Sequence, residues 1–297
     1  MAMTDHGNMF GAIEFYKTAQ EHGLKPIIGC EVYVAPGSRF EKKSSAGGRD
    51  VYHHLVLLAK DETGYKNLIK LVTAGYLEGF YYKPRIDREL FAQHGQGLVV
   101  LSGCLNSELG HALLDKDEAK AAQIAKFYLD AVGKENYYLE IQDNHIPVQN
   151  KCNQMLKALG KDLGIPLLAT NDCHYLTRED ARAHEVLLCI QTGKTLNDPN
   201  RWKFDTDQLF VKGVEDLREA FADVPEAIEN TLGFAFGSQQ VSTIYTATNQ
   251  YWVILELLPR FQMDATALSR LYVEGAGGVP VPLSAIAKFT PGYGPLS

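Results

Sequence analysis

Apolar runs of strand length alternate with stretches of helical spacing along the first two thirds of the chain. Residues 25–35 (KPIIGCEVYVA), 52–60 (YHHLVLLAK), 97–102 (GLVVLS), 136–142 (NYYLEIQ) and 166–170 (PLLAT) are rich in Val, Ile, Leu and Tyr and predict buried strands. Between them, residues 11–22, 62–74, 118–132 and 148–163 carry helical periodicity. In the last of these, Met155, Leu159 and Leu163 sit four apart on one face. Gly164 then supplies a helix stop and Pro166 opens the next strand. Strand alternating with helix predicts parallel strands joined by crossovers, hence an α/β layered sheet or a barrel. Periodicity does not separate the two.

The reactive side chains narrow the choice. Asp5 and His6 follow the opening fragment, Cys104 follows the strand ending at Ser102, and Asp172 and His174 follow the strand ending at Thr170. Each is expected just past the C-terminal end of a strand, where α/β barrels and open sheets build active sites. Glu31 and His54 lie within strands, and a carboxylate inside an apolar strand is costly unless paired or bound to a metal. Asp, His, Glu and Cys are ligands for zinc-like and manganese-like ions. In an extended backbone Asp172 and His174 share a side. The expectation is a metal site at one mouth of a barrel, built from His6, Glu31, His54, Cys104, Asp172 and His174. Plain alternatives stand beside it: His6 as a hydrogen-bonding turn residue, Cys104 as a small buried filler. His53 and His54 are adjacent and face opposite ways in a strand; His54 is taken as the inward one and His53 as a surface group. His22, His94, His111 and His184 are expected at the surface, and Cys30, Cys152, Cys173 and Cys189 as core or unreactive thiols. In Tyr81-Tyr82-Lys83-Pro84-Arg85, Lys83 and Arg85 beside aromatic rings could grip a phosphate chain, although a solvated loop explains the cluster nearly as well.

Composition adds two points. With 29 basic and 36 acidic residues in 297, the formal net charge of −7 argues against coating nucleic acid by bulk electrostatics, while leaving room for a local basic channel. Apolar stretches fall short of the roughly 18 residues a membrane helix needs, no secretory signal opens the chain, and five cysteines without a CxxC pair predict a reducing, cytoplasmic setting. The averages also conceal a break near residue 232. Residues 233–297 hold six charges (Arg260, Arg270, Lys288, Glu256, Asp264 and Glu274), and all nine histidines and all five cysteines precede the break. That asymmetry predicts two segments of different origin or environment. Residues 37–48 (GSRFEKKSSAGG) read as a mobile loop.

Six stretches, taken together, resemble a known family. They are Thr4-Asp5-His6-Gly7-Asn8, 25–33 (KPIIGCEVY), 54–60 (HLVLLAK), 79–87 (GFYYKPRID), 101–105 (LSGCL) and 169–175 (ATNDCHY). In order and spacing, through about residue 232, they resemble the PHP (polymerase and histidinol phosphatase) domain of bacterial replicative DNA polymerase III alpha subunits. The resemblance implies a distorted TIM-like α/β barrel holding up to three divalent ions, zinc, manganese or magnesium, with His6, Glu31, His54, Cys104, Asp172 and His174 at ligand positions. It further implies metal-dependent phosphoesterase or 3′–5′ exonuclease chemistry on single-stranded DNA ends. Some members instead serve as a non-catalytic platform for a proofreading exonuclease subunit. The family begins with a strand carrying a His-x-His pair and a further acidic ligand, and this sequence starts at the second strand. The expectation is therefore an incomplete, marginally stable barrel, with the polymerase palm and its nucleotidyltransferase activity absent from the chain.

The remainder resembles something else. Residues 235–237 (AFG), 240–245 (QVSTIY), 249–251 (NQY), 259–262 (PRFQ), 271–273 (LYV), 281–287 (VPLSAIA) and the closing 294–297 (GPLS) are similar to a periplasmic segment of RND multidrug efflux transporters. The expected organisation is an N-terminally truncated PHP domain over 1–232 and a transporter-like fragment over 233–297. That fragment is expected as a small β-rich or α+β tail whose strands lack their native partners, joined by fusion or misassembly of a reading frame.

Overall fold

In the computed structural model, the structure describes residues 1–42 and 52–236, with strands at 240–245, 250–254, 272–274 and 280–282. The chain divides into two compact units, Met1–Ala235 and Phe236–Ser297.

The first unit is a curled half-barrel of seven strands. Along the sheet, β1 (Ala2–Met3), β2 (Ile27–Val34), β3 (His53–Ala59), β5 (Leu98–Leu101), β6 (Tyr137–Gln142) and β7 (Leu167–Thr170) follow in that order, and β4 (Arg85–Ile86) extends the outer side of β2 beyond β1. The β1–β2, β2–β4, β5–β6 and β6–β7 pairs are parallel, and helices α4 (Glu108–Leu114), α5 (Glu118–Val132) and α6 (Pro147–Leu163) supply the later crossovers. The expected all-parallel order fails at β3, which runs antiparallel to both β2 and β5. Among the described residues between β2 and β3 there is no crossover helix, so the chain turns back on itself as in a long hairpin.

Alternation divides each strand between two apolar faces. Cys30, Val32, Val34, Leu55, Leu57, Leu98, Val100, Leu139 and Ile141 point outward into the main core beneath the helices. Val56, Leu58, Val99, Leu101 and Leu168 point inward and form a second, smaller core on the concave face. Burial on both faces is what makes these strands read as continuous hydrophobic runs. It also corrects the reading of His53. That ring is 6% exposed, on the helix-covered face beside His111, and not at the surface.

Helix ends follow local chemistry. Asp61 caps α2 (Glu62–Leu77) by accepting from the Gly64 amide, Asp87 caps α3 (Arg88–His94) through the Leu90 amide, and Ser107 caps α4 through the Gly110 amide. Gly164 closes α6 in the left-handed region at φ 65°, as its position predicts. The buried stripe of α6 runs through Cys152, Asn153, Leu156 and Gly160, with Met155, Leu159 and Leu163 flanking it, partly covered.

In the second unit, Gln240–Tyr245 pairs antiparallel with Gln250–Ile254, and Tyr272–Glu274 with Pro280–Pro282. The expected short strands at 241–245, 251–256 and 271–274 overlap three of these, each paired within a two-stranded sheet. Residues 43–48 of the expected loop, and most of the other residues on which the transporter resemblance rests, lie outside the described residues.

Candidate metal centre

The concave face turns from apolar to polar toward one end. Directly opposed residues of an antiparallel pair share a face, so the pairings Glu31↔Val56 and Tyr33↔His54 put Glu31, Tyr33 and His54 on the concave side with Val56. Because β3 runs backwards, His54 at its start reaches the same mouth as the ends of β1, β2, β5, β6 and β7. Just past β1, His6 forms a parallel bridge with Glu31. Gly7 follows in the left-handed region at φ 67°, where a Cβ would come within 2.8 Å of the Tyr33 ring, so only glycine lets the turn pack there.

Four predicted residues meet here. His54 Nδ1 lies 2.6 Å from Glu31 Oε1, and His6 Nδ1 lies 3.8 Å from Glu31 Oε2. Cys104 Sγ lies 3.7 Å from His54 Nδ1 and 3.8 Å from Glu31 Oε1. Donor atoms of His6, Glu31 and His54 all fall within 4.8 Å of one another. Ligands about 2.0–2.3 Å from one ion stand a little over 3 Å apart, so two imidazoles and a carboxylate, with the thiol beside them, fit a divalent cation after small adjustments. Asp172 and His174 form a second pair, with His174 Nδ1 3.5 Å from Asp172 Oδ1. Both line the same cavity of about 630 Å³ as His6, Glu31 and Cys104.

The electrostatics are those of a half-buried charge cluster. Burial alone would raise the Glu31 carboxyl, but the hydrogen bond from His54 and the nearby His6, His54 and His174 rings outweigh it and hold the group below its ordinary range. Asp172 is pushed up by burial, and His174 offsets this only in part. Burial and the Glu31 charge hold the Cys104 thiol well above its usual value, so its use as a ligand requires a cation to displace the proton.

Lys83 and Arg85 part company. Lys83 is exposed, with Nζ 5.5 Å from the centre of the Tyr33 ring, which itself packs on His6 and His54. Arg85 is 1% exposed and donates to the carbonyls of Gly79 and Glu41. The expected phosphate grip by Arg85 is therefore corrected. In β4 its side chain points inward and pins the loop after β2, so it holds backbone and not ligand. His184, expected at the surface, is half-buried between His174 and Phe204. Sequence reasoning missed Tyr33, Glu140, Gln142 and Thr170, which complete the polar mouth. Glu140 had a usable signal: it is a second carboxylate inside an apolar strand, the same argument that singled out Glu31.

Comparisons with known proteins bear on this arrangement. Residues 1–144 match the PHP domain. The chain is 51% identical over 231 residues to DNA polymerase III subunit alpha of Thermus aquaticus, covering 76% of this chain and 18% of the relative. The corresponding subunit of Treponema pallidum is 47% identical over 235 residues, 79% of this chain and 20% of the relative. That of Deinococcus radiodurans is 48% identical over 222 residues, 74% and 17%. The chain thus spans about a fifth of the length of these relatives. Residues 219–297 match the AcrB/AcrD/AcrF family. The curled α/β half-barrel is consistent with an incomplete PHP barrel, and its mouth carries the donor cluster described above.

Proposed function

We propose that the PHP unit is a metal-dependent phosphoesterase module of a replicative DNA polymerase alpha subunit, working as a 3′–5′ exonuclease on single-stranded DNA. The observation that carries this reading is the convergence of His6, Glu31, His54 and Cys104 at one mouth, with Asp172 and His174 lining the same cavity. His6, Glu31, His54 and Cys104 would hold one divalent ion, zinc, manganese or magnesium, and Asp172 and His174 would contribute to a further site. Such ions supply an activated water and stabilise charge on phosphate oxygens. The chain's own residues prepare the site. Glu31 stays ionised beside His54, and Lys83 stands at the rim where a phosphate chain would pass. Leu58, Leu101 and Leu168 give the cavity an apolar floor that limits water.

The test is metal content and nuclease activity of the purified chain. About one equivalent or more of zinc or manganese, with chelator-sensitive shortening of a 5′-labelled single strand, supports the reading. Asp172→Ala is expected to slow that reaction by at least ~10-fold. Less than about half an equivalent of any divalent ion at neutral pH would sink it.

A second reading, a platform for a proofreading exonuclease subunit, is favoured by the apolar surface of α7 (Ala181–Thr192), where Leu187 and Ile190 are 58% and 72% exposed. It expects partner binding that survives Asp172→Ala. The match of residues 219–297 to a transporter family supports a separate origin for residues 233–297, and sequencing genomic DNA across codons 232–236 tests it. Among the described residues no helix is long and apolar enough to cross a membrane. The free state of all five cysteines is in keeping with a cytoplasmic setting for the PHP unit.

A further inference from the structure

Glu140 is a buried carboxylate of the concave face that the proposed chemistry does not use. It lies in β6, between β5 and β7, and is 4% exposed. Three donors converge on its two oxygens. The Gly103 amide donates to Oε2 at 3.1 Å, the Thr170 hydroxyl to Oε1 at 2.5 Å, and the Gln142 amide to Oε1 at 3.1 Å. With both oxygens engaged, the group is poorly placed to bind a cation itself. What it touches is informative. Gly103 immediately precedes Cys104, and Thr170 lies two residues before Asp172.

The sheet alone does not hold these two tips. The β5–β6 ladder ends at Leu101↔Tyr138, and past it the Ser102 amide donates to the Tyr138 carbonyl and the Glu140 amide to the Ser102 hydroxyl. Gly103 itself sits at φ 84°, where a Cβ would press within 2.9 Å of the His54 carbonyl, so the turn into Cys104 is a tight backbone fit. At the other end, β7 finishes at Thr170, and the chain leaves the sheet toward Asp172. One side chain bridges the two exits.

We propose that Glu140 is a positioning residue that ties the Cys104 turn to the Asp172–His174 turn, so that cation affinity depends on a carboxylate that does not ligate. The inference rests on the metal-site reading above and adds a residue to it. Ligand groups must be held within about half an ångström of productive geometry, and groups behind the ligands commonly tune affinity by 10–100-fold.

The experiment measures Mn²⁺ affinity of the full chain by calorimetry and amide hydrogen exchange in the metal-free chain. Glu140→Ala is expected to weaken Mn²⁺ binding ~10–100-fold, and Thr170→Val, which removes one arm, to weaken it several-fold, roughly 3–10. Glu140→Gln should weaken binding less than Glu140→Ala does, by no more than several-fold, because the amide can still accept from Gly103 and donate to the Thr170 hydroxyl while losing the Gln142 donor. Leu71→Ala, a packing control in the main core under α2, should lower stability and leave affinity within about threefold. In hydrogen exchange, Glu140→Ala should speed the amides of residues 103–107 and 171–175 together by about tenfold, while those of α2 stay within about twofold. Unchanged Mn²⁺ affinity in Glu140→Ala overturns the proposal, as does faster exchange spread evenly over the unit. If the parent chain itself takes up no Mn²⁺, the metal-site reading has failed, and the exchange pattern alone then decides whether Glu140 couples the two turns.

Discussion

Glu31 and Glu140 stand on the same concave face, and their neighbours push them in opposite directions. Glu31 gains a histidine hydrogen bond and three nearby imidazoles, so its folded value is depressed. The stability this contributes is present above the unfolded value of 4.5 and is lost as pH falls through the folded one. Glu140 is enclosed and faces the charges of Glu31 and Asp172, and burial pushes it up to about 7, against the donors that favour its ionised form. Between 4.5 and about 7 the folded state binds this proton and the unfolded chain has released it, so stability falls as pH rises across that window. The full effect is roughly 3 kcal/mol, from about 1.4 kcal/mol per pH unit. Urea unfolding of the metal-free chain at pH 5 and pH 7.5 is expected to show this decline, and Glu140→Gln should flatten most of it. Equal slopes in parent and variant would remove the assignment. In the sequence the two glutamates look alike, each a charge in an apolar strand. Only the structure distinguishes the one beside histidines from the one beneath backbone and hydroxyl donors.

At the scale of elements, periodicity carries face but not direction. The five strands read from the sequence are all present, and their inward and outward sets follow from alternation. Nothing in residues 52–60 says that β3 runs antiparallel, yet that reversal is what brings His54 to the mouth. Likewise 81–85 signalled a basic aromatic cluster, but not that Lys83 would stay outside while Arg85 turned in. The side of a two-residue strand depends on its pairing partner, here Tyr33 and Val34 of β2. The loop this strand anchors is held by a second device. Asp87 caps α3 through the Leu90 amide, accepts from the Arg39 amide at 2.8 Å, and pairs with the Arg39 guanidinium at 3.0 Å, and it is 3% exposed. Asp87→Ala removes the cap and leaves the buried Arg39, among the described residues, with only the half-exposed Glu78 as an acidic partner. The expected loss is about 3–5 kcal/mol, as for one partner removed from a buried pair, read from the shift in urea midpoint at constant slope. Asp87→Asn, which keeps the cap acceptor, should lose less. A loss under ~1 kcal/mol in Asp87→Ala would mean the pair is solvated and the loop is held elsewhere.

At the scale of the whole chain, three boundaries compete. Charge and histidine content change near residue 232, the AcrB/AcrD/AcrF family match begins at residue 219, and the first compact unit runs to Ala235. Packing decides among them for the first unit. Phe221, Val224, Ala227 and Ile228 belong to its main core, contributed by α9 (Pro225–Phe236) and the turn before it. Asn230 donates to the Leu167 carbonyl and Thr231 to the Ala169 carbonyl, so α9 also lies along the backbone of β7. Burying Phe221, Val224 and Ile228 is worth roughly 1.5–3 kcal/mol each, which in sum rivals the entire 5–15 kcal/mol stability of an ordinary domain. Residues 219–231 are thus structurally part of the first unit, although the AcrB/AcrD/AcrF family match extends over them. A chain ending at Phe236 is expected to unfold cooperatively and to keep the divalent-ion stoichiometry of the full chain. One ending at Arg218 should show no cooperative transition and bind dye as an open core does. Circular dichroism melts and metal analysis of the two truncations read this directly. Cooperative melting of the shorter one would place the boundary at the family match and make α9 an appendage of the first unit.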